Sequence, residues 1–363
     1  AEQLSADIKQ GRWLVGDRIP SEVELATELG VSRQTVHRAM SELHRNGLVS
    51  RQRRNGTVVQ GSGGRRTGLI ALIMDQSTDF PQADLVRGIQ AVLGEEFRLS
   101  LYDVGDDAER ERQALLRAGD EVDGILVYAS SQNGSSEILN QTMDRVPVVC
   151  VDRVPEGALC DGVVSDNYAA TRRALDPVVK GTTGPIAFFS GDNEHVSTVQ
   201  DRYRAYRDSL GARFDERYER WYPKSLEQKP ERLVRMTMDS LVALEREGAP
   251  GAIFCLQDIY AVAVVDAYER LNLADRIPPI ITYNDWPPIM LRRASDMTRI
   301  VQPTFEVGRA AAERVLARLE GDRSAPQVQV LASGVWPAAV GSAFLQEANE
   351  ASASSTEGGR STS

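Results

Sequence analysis

Two hydrophobic patterns divide the chain. Over residues 21–43 apolar positions recur at steps of three and four, whereas beyond residue 68 short continuous apolar runs alternate with longer segments of helical period. In the first region, "SEVELATEL" opens on Ser21, a good helix cap, and repeats Val23, Leu25, Ala26 and Leu29 along one predicted face, with Gly30 as its stop. Ser32 can cap a second helix whose Val36, Ala39, Met40 and Leu43 recur at helical steps, which leaves Arg33, Gln34, His37 and Arg38 pointing outward. "SRQRRNGTVV" follows, with strand-like segments on either side of an Arg-rich, Gly-containing bend, and predicts a two-stranded wing.

Beyond residue 68 the runs "GLIALIM", "RLSLYD", "DGILVY", "PVVCVD", "PIAFFS", "GAIFC" and "PIITY" predict strands, with helices between them. This is an α/β pattern with mostly parallel sheet pairing. Between the two regions, "QGSGGRRTG" has four glycines and no apolar period, the composition of a flexible connector. From Gln346 the chain turns to Ser, Gly, Glu and Ala, the composition of a disordered tail. The expected organisation is a winged helix-turn-helix over 1–60, a linker over 61–67, a two-lobed α/β domain over 68–345 and a tail over 346–363.

Charge sharpens the first region's role. The net charge is -10, yet residues 1–66 hold 11 Lys and Arg against 7 Asp and Glu, so the basic excess is confined to the predicted winged domain and the linker that follows it. A helix fits the major groove, its first turn reaches base edges, and its N-terminal amides face phosphate. Ser32, Gln34 and Thr35 can donate to phosphates or bases, Arg33 can bind a guanine edge bidentately, and Arg51, Arg53 and Arg54 suit backbone or minor groove. An amphipathic surface helix with solvated charges is the alternative; the agreement of helix, turn, helix, wing and basic bias favours double-stranded DNA.

The segment "GDRIPSEVELATELGVSRQTVHRAMSELHRNGLVSRQRRNGTVV" resembles the winged-helix domain of the GntR family of bacterial transcription regulators. The resemblance implies DNA contacts at Ser32, Arg33, Gln34, Thr35, His37 and Arg38, with Arg53, Arg54, Gly56 and Thr57 in the wing. Val23, His37 and Arg54 depart from the residues usual in that family.

In parallel α/β sheets, ligands bind outside the carboxyl ends of the strands. The residues there are polar: Asp75, Asp152 with Arg153, Gln257 with Asp258, and Asn284 with Asp285. Such groups suit a polyhydroxylated ligand, and Phe80, Trp221 or Trp286 could cover an apolar sugar face. Taken singly, each is as readily a helix cap or a loop polar.

In order and spacing, "DLVRGI", "VDGILV", "VPVVCVDR", "VVSDNYAATRRAL", "DRYRAY", "AIFCLQDIYAVAV", "ITYND" and "RIVQPTFEVGRAAAERVL" resemble the effector domain of LacI-family repressors, related to periplasmic sugar-binding proteins. That resemblance implies effector contacts at Phe80, Asp152, Arg202, Gln257 or Asp258, Asn284 and Gln302. Asn284, Gln257 and Ala205 differ from the residues common there, and the last strand lacks the usual Arg. A GntR-like head on a LacI-like sensor resembles the arabinose-repressor type of regulator. It implies two lobes, about 67–165 with 303–325 and about 166–300 with 326–345, closing over a small effector, and a homodimer formed through the effector domain. The "GSGG" linker would not form a groove-inserting hinge helix.

Other functions are weighed against this one. The chain has no GxGxxG after a strand, no GxxxxGK[ST], no HExxH and no GxSxG, and its three His form a poor catalytic set, so neither an enzyme nor a bound cofactor is expected. The three cysteines Cys150, Cys160 and Cys255 lack paired spacing and read as buried thiols of a cytoplasmic protein, with neither disulfide framework nor metal site. No apolar stretch is long enough for a membrane span. Among effectors a sugar leads, a nucleobase follows, and a sensor without small ligand is the third reading.

Overall fold

A computed structural model describes residues 2–9, 12–14, 16–45, 48–52, 56–59, 67–74, 80–105, 107–130, 135–283 and 296–337. The chain begins with α1 (Glu2–Lys9), α2 (Glu22–Leu29), α3 (Arg33–Arg45), β1 (Val49–Gln52) and β2 (Gly56–Val59). Each boundary has a local cause. Ser21 and Glu24 form a reciprocal capping box at the start of α2, and Gly30 ends it at φ 63°, a left-handed conformation that glycine adopts without steric cost. Ser32 Oγ accepts from the Thr35 amide at 3.1 Å and so caps α3. β1 and β2 pair antiparallel with Val49 opposite Val59 and Gln52 opposite Gly56.

Leu4, Ile8, Ile19, Leu25, Val36, Met40, Leu43 and Val59 form the small core of this region. Val23, placed on the buried face by the sequence pattern, is 56% exposed. A helix of two turns has a narrow contact face, and here Leu25 takes it, with Ala26 and Leu29 partly buried beside it.

The remaining chain runs β3 (Leu69–Met74), α4 (Phe80–Leu93), β4 (Arg98–Asp103), α5 (Ala108–Glu121), β5 (Gly124–Val127), α6 (Ser135–Met143), β6 (Val148–Asp152), β7 (Asp161–Ser165), α7 (Asn167–Gly181), β8 (Ile186–Gly191), α8 (Ser197–Leu210), β9 (Glu219–Tyr222), α9 (Pro230–Glu247), β10 (Ala252–Cys255), α10 (Asp258–Arg270), β11 (Ile280–Tyr283), β12 (Met297–Val301), α11 (Thr304–Leu319), β13 (Val328–Leu331) and β14 (Gly334–Trp336). All seven apolar runs singled out in the sequence are strands. They divide between two six-stranded sheets, ordered β13-β7-β6-β5-β3-β4 and β14-β12-β11-β10-β8-β9. Pairing is parallel along β4-β3-β5-β6 and along β9-β8-β10-β11-β12; β14 joins β12 antiparallel.

Two compact units result. One comprises Ala1–Ser77, Val86–Val163 and Gly308–Val328; the other comprises Thr78–Leu85, Val164–Val307 and Gln329–Ser363. Their central strands are apolar on both faces because helices cover both. In β8, Ala187 and Phe189 enter one core of the second unit, whereas Ile186 and Phe188 enter the other.

In the first unit, Asp161 at the start of β7 is 3% exposed and ties strand to helix. Its carboxylate accepts from Arg318 Nε at 2.7 Å and the Gln327 amide at 3.0 Å, with Arg314 Nε at 3.0 Å. In the second unit, Asp166 accepts from the Ser333 amide at 2.7 Å and from Arg173 at 2.8 Å. The three cysteines are free and buried, as expected, but the fold brings Cys150 and Cys160 together, a pairing their spacing did not signal. Among the described residues, no helix is long and apolar enough to cross a membrane, and no cluster of His, Cys, Asp and Glu could hold a metal ion.

Candidate DNA-contacting surface and effector site

The outer face of α3 is built from the residues that the sequence placed there. Val36, Met40 and Leu43 are buried, and Ser32, Arg33, Gln34, Thr35, His37 and Arg38 are exposed on the opposite side. Ser32 and Thr35 hydroxyls lie 2.8 Å apart. Glu22, at the start of α2, was not singled out in the sequence, yet it holds the face from beside it: its carboxylate lies 2.8 Å from His37 Nδ1 and 3.7 Å from Arg33 Nε. A carboxylate here lies against both side chains in the free protein and would compete with DNA for them.

In the wing, Gly56 has φ 75°, and a Cβ there would lie 3.1 Å from Arg18 Nε. Arg18, also missed in the sequence, forms an isolated bridge to Val58 and so lays a third extended segment beside the wing. It brings a guanidinium to the start of β2. Gly56 and Thr57 begin β2; Arg51 lies on β1, while Arg53 and Arg54 lie outside the described residues.

The second unit gathers a set of polar side chains at the carboxyl ends of its strands. Arg202, on α8 and 6% exposed, is the centre. Its Nε donates to Asn167 Oδ1 at 2.8 Å, its Nη1 to the Leu256 carbonyl at 3.2 Å and its Nη2 to Gln302 Oε1 at 3.0 Å. The guanidinium carbon stands 3.5 Å from the centre of the Tyr283 ring. Around it, Gln302 Nε2 donates to Ser165 Oγ at 3.1 Å, and Tyr283 Oη donates to the Asn167 carbonyl at 2.8 Å. Thr171 Oγ1 also donates to that carbonyl, at 2.8 Å.

These groups come from the end of β7, the first turn of α7, the residue after β10, the end of β11 and the residue after β12. Parallel pairing places the ends of β10, β11 and β12 on one edge of the second sheet, and the chain leaving β7 into α7 brings Ser165 and Asn167 to Gln302 and Arg202 there, which is why residues more than a hundred positions apart converge. Among the described residues, every oxygen to which Arg202 donates is neutral, and of the five N–H groups of its guanidinium three serve these partners. The remaining two suit the hydroxyl or carbonyl oxygens of a ligand.

Of the other expected effector residues, Gln257 precedes α10 and Asp258 begins it, the latter 8% exposed. Trp221, on β9, packs its ring against Phe188 and Tyr203, with centroids 4.9 and 5.2 Å away, as part of an aromatic core. Asp152 lies in the first unit, at the end of β6, with φ 65°. A non-glycine residue in the left-handed region is held there against a local preference, a feature that gathers at functional sites. Arg153 beside it stacks over the Tyr128 ring at 4.5 Å. Asp75, Asn284, Asp285 and Trp286 lie outside the described residues, as does the side chain of Phe80. Asn167, Ser165, Thr171 and Tyr283 were not picked out in the sequence, although "VVSDNY" contains three polar residues at a strand end.

Comparison with known proteins places both regions. Residues 1–59 match the family of bacterial regulatory proteins, gntR family, and residues 182–337 match the periplasmic binding protein-like domain. The chain is similar to the HTH-type transcriptional regulator KdgR of Bacillus subtilis, 24% identical over 282 residues that span 76% of this chain and 80% of the relative. It is also similar to the arabinose metabolism transcriptional repressor of Halalkalibacterium halodurans, 24% identical over 343 residues, 89% of this chain and 88% of the relative. A solved structure of the transcriptional regulator CelR in complex with cellobiose shares the fold at a TM-score of 0.62 and 22% identity, over 88% of this chain and 98% of that one. These relatives are transcriptional regulators and not enzymes. The chain is therefore a transcription regulator that joins a gntR-family helix-turn-helix region to a periplasmic-binding-protein-like sensor domain.

Proposed function

We propose that this protein is a cytoplasmic repressor, acting as a homodimer paired through the sensor domain, whose hold on operator DNA is released by a sugar. The Arg202 cluster carries the reading. A buried guanidinium, two carboxamides, hydroxyls and an aromatic ring converge at strand carboxyl ends, and those are the donors and acceptors that hydroxyl-rich ligands need. By the sequence resemblance Asp152, Gln257 or Asp258 and Gln302 are contact residues, as are Phe80 and Asn284, with Asp75 and Asp285 beside strand ends. That one similar structure is a cellobiose complex, and one relative an arabinose metabolism repressor, supports a sugar over a nucleobase.

On DNA, α3 enters the major groove with Ser32, Arg33, Gln34, Thr35, His37 and Arg38 toward it, and the wing follows the backbone. His37 and Arg33 exchange Glu22 for DNA as they bind. The effector acts by binding one conformation of the sensor domain better than another, and the two binding events are coupled by that difference alone.

The test is a thermal-shift panel of monosaccharides, disaccharides and nucleobases on the full chain and its Arg202→Ala variant, followed by operator binding with the hit. A saturable shift with a sugar, absent in the variant and accompanied by loss of DNA binding in the parent, is the expected result. A shift with nucleobases alone, or no shift across the panel, overturns the sugar reading.

A further inference from the structure

We propose that Cys150 and Cys160 form a redox-reactive pair, converted by a peroxide into an intramolecular disulfide that closes the loop carrying Asp152 and Arg153. Cys150 lies within β6 and Cys160 immediately before β7, the neighbouring strand in the sheet. Their sulfurs are 3.1 Å apart, about 1 Å more than a disulfide bond of about 2.05 Å. The bond therefore forms with a small movement of two side chains already in contact. Neither thiol has a part in the DNA-contacting surface or the Arg202 cluster.

The two sulfurs are not equivalent. A hydrogen bond from Cys150 lowers the pKa of the Cys160 thiol against the effect of burial, whereas the same contact and burial push that of the Cys150 thiol well up. The carboxylates that face them, Asp161 beside Cys160 and Glu111 toward Cys150, oppose ionisation of both. Cys160 is thus the attacking sulfur. Its thiolate takes one oxygen of the peroxide as the O–O bond breaks, forming a sulfenic acid and releasing hydroxide, which gains a proton as water. Cys150 sulfur then attacks the sulfenic sulfur, the S–O bond breaks, and the departing hydroxide leaves as water with the Cys150 proton. Two thiols and one hydrogen peroxide give one disulfide and two waters.

Access is governed by the loop itself. Cys160 is 3% exposed, and the segment that leads into it is held by one side chain: Asn140 Nδ2 donates to the Gly157 carbonyl at 3.0 Å, and the Leu159 amide donates to Asn140 Oδ1 at 2.8 Å. Breaking those two bonds lets the segment open. Once the disulfide forms, both ends of the stretch holding the left-handed Asp152 are covalently fixed. Within a reducing cytoplasm such pairs act as transient sensors and not as permanent staples.

The experiment titrates the reduced full chain with hydrogen peroxide, then denatures, alkylates and maps peptides by mass. Cys255, buried alone in the second unit with its thiol pushed up by burial, is the internal control. The expected result is one cross-linked species joining the Cys150 and Cys160 peptides within a chain, reversible by dithiothreitol, with Cys255 still alkylated. Asn140→Ala should reach it several-fold faster, and Cys150→Ser should instead stop at an oxidised Cys160. Full alkylation of both cysteines after treatment, separate sulfinic acids in the parent, or links only between chains would each overturn the pair. An unchanged rate in Asn140→Ala would overturn the gating by the loop.

Discussion

Asp161 shows how much one side chain can hold. Burial alone would raise its carboxyl, yet hydrogen bonds from Arg318, the Gln327 amide and Arg314 together outweigh that and leave it below the ordinary carboxylate range. A carboxylate depressed on folding adds stability that is fully present above the unfolded value of about 3.9 and is lost as pH falls through the folded one. Asp161→Asn should therefore cost about 3 kcal/mol at pH 7, because two arginines lose their counter-charge in a largely buried place. The gap between variant and parent in urea midpoint should close as the pH is taken below 4. A gap that persists unchanged at low pH would mean that packing, not charge, is what Asp161 contributes.

At the same scale, Arg202→Ala separates the two functions. It removes the centre of the proposed effector cluster while leaving α3 untouched, so the ligand-induced thermal shift should vanish and operator affinity without ligand should stay within about twofold. Loss of operator binding in that variant would show that Arg202 is needed for the fold of the sensor unit itself.

Elements were the most legible level. The Ser21 capping box, the Gly30 stop and the Ser32 cap are short-range devices, written in four consecutive residues at most, and the helices obey them. Gly30→Ala tests the turn. Nothing lies within 4 Å of the added methyl, so the cost is conformational only, about 1 kcal/mol for holding alanine at φ 63°. Chemical denaturation would measure it, and operator binding should weaken along with it because Gly30 sets where α3 begins. On α3 itself, Arg33→Ala should relax sequence preference by about 1–3 kcal/mol at one base pair. Equal loss on all sequences would place Arg33 on phosphate instead.

The seven apolar runs were legible for another reason. A strand covered by helices on both sides needs a short continuous apolar run, and its length, its flanking Gly and Pro and its β-branched and aromatic residues set it apart from a buried helix. Three of the four edge strands of the six-stranded sheets, unlike β4, carry no such signal. β9, β13 and β14 have mixed exposure, with Val330 and Trp336 more than half exposed, and only pairing with a neighbour makes them strands.

For the whole molecule, the uneven charge sets the behaviour on DNA. With the basic excess confined to residues 1–66 and the rest acidic, binding depends on few phosphate contacts against a repulsive background. The logarithm of operator affinity should fall linearly with the logarithm of salt concentration, with a slope of about 0.9 per phosphate neutralised. A flat salt dependence between 50 and 200 mM, the range of about fourfold over which such contacts show, would contradict the assignment of α3 and the wing.

The sequence by itself determined α2 and α3 of the DNA-contacting region, seven of the strands and the charge division, because periodicity, caps and composition are local properties. Tertiary structure decided the rest. It alone set how the strands divide between two sheets, that Glu22 reaches His37, that Arg18 lies against the wing, that Asn167 and Tyr283 hold Arg202, and that Cys150 meets Cys160. Each of those contacts joins residues on different elements, and a one-dimensional pattern carries no record of which distant element the packing of a core will bring alongside.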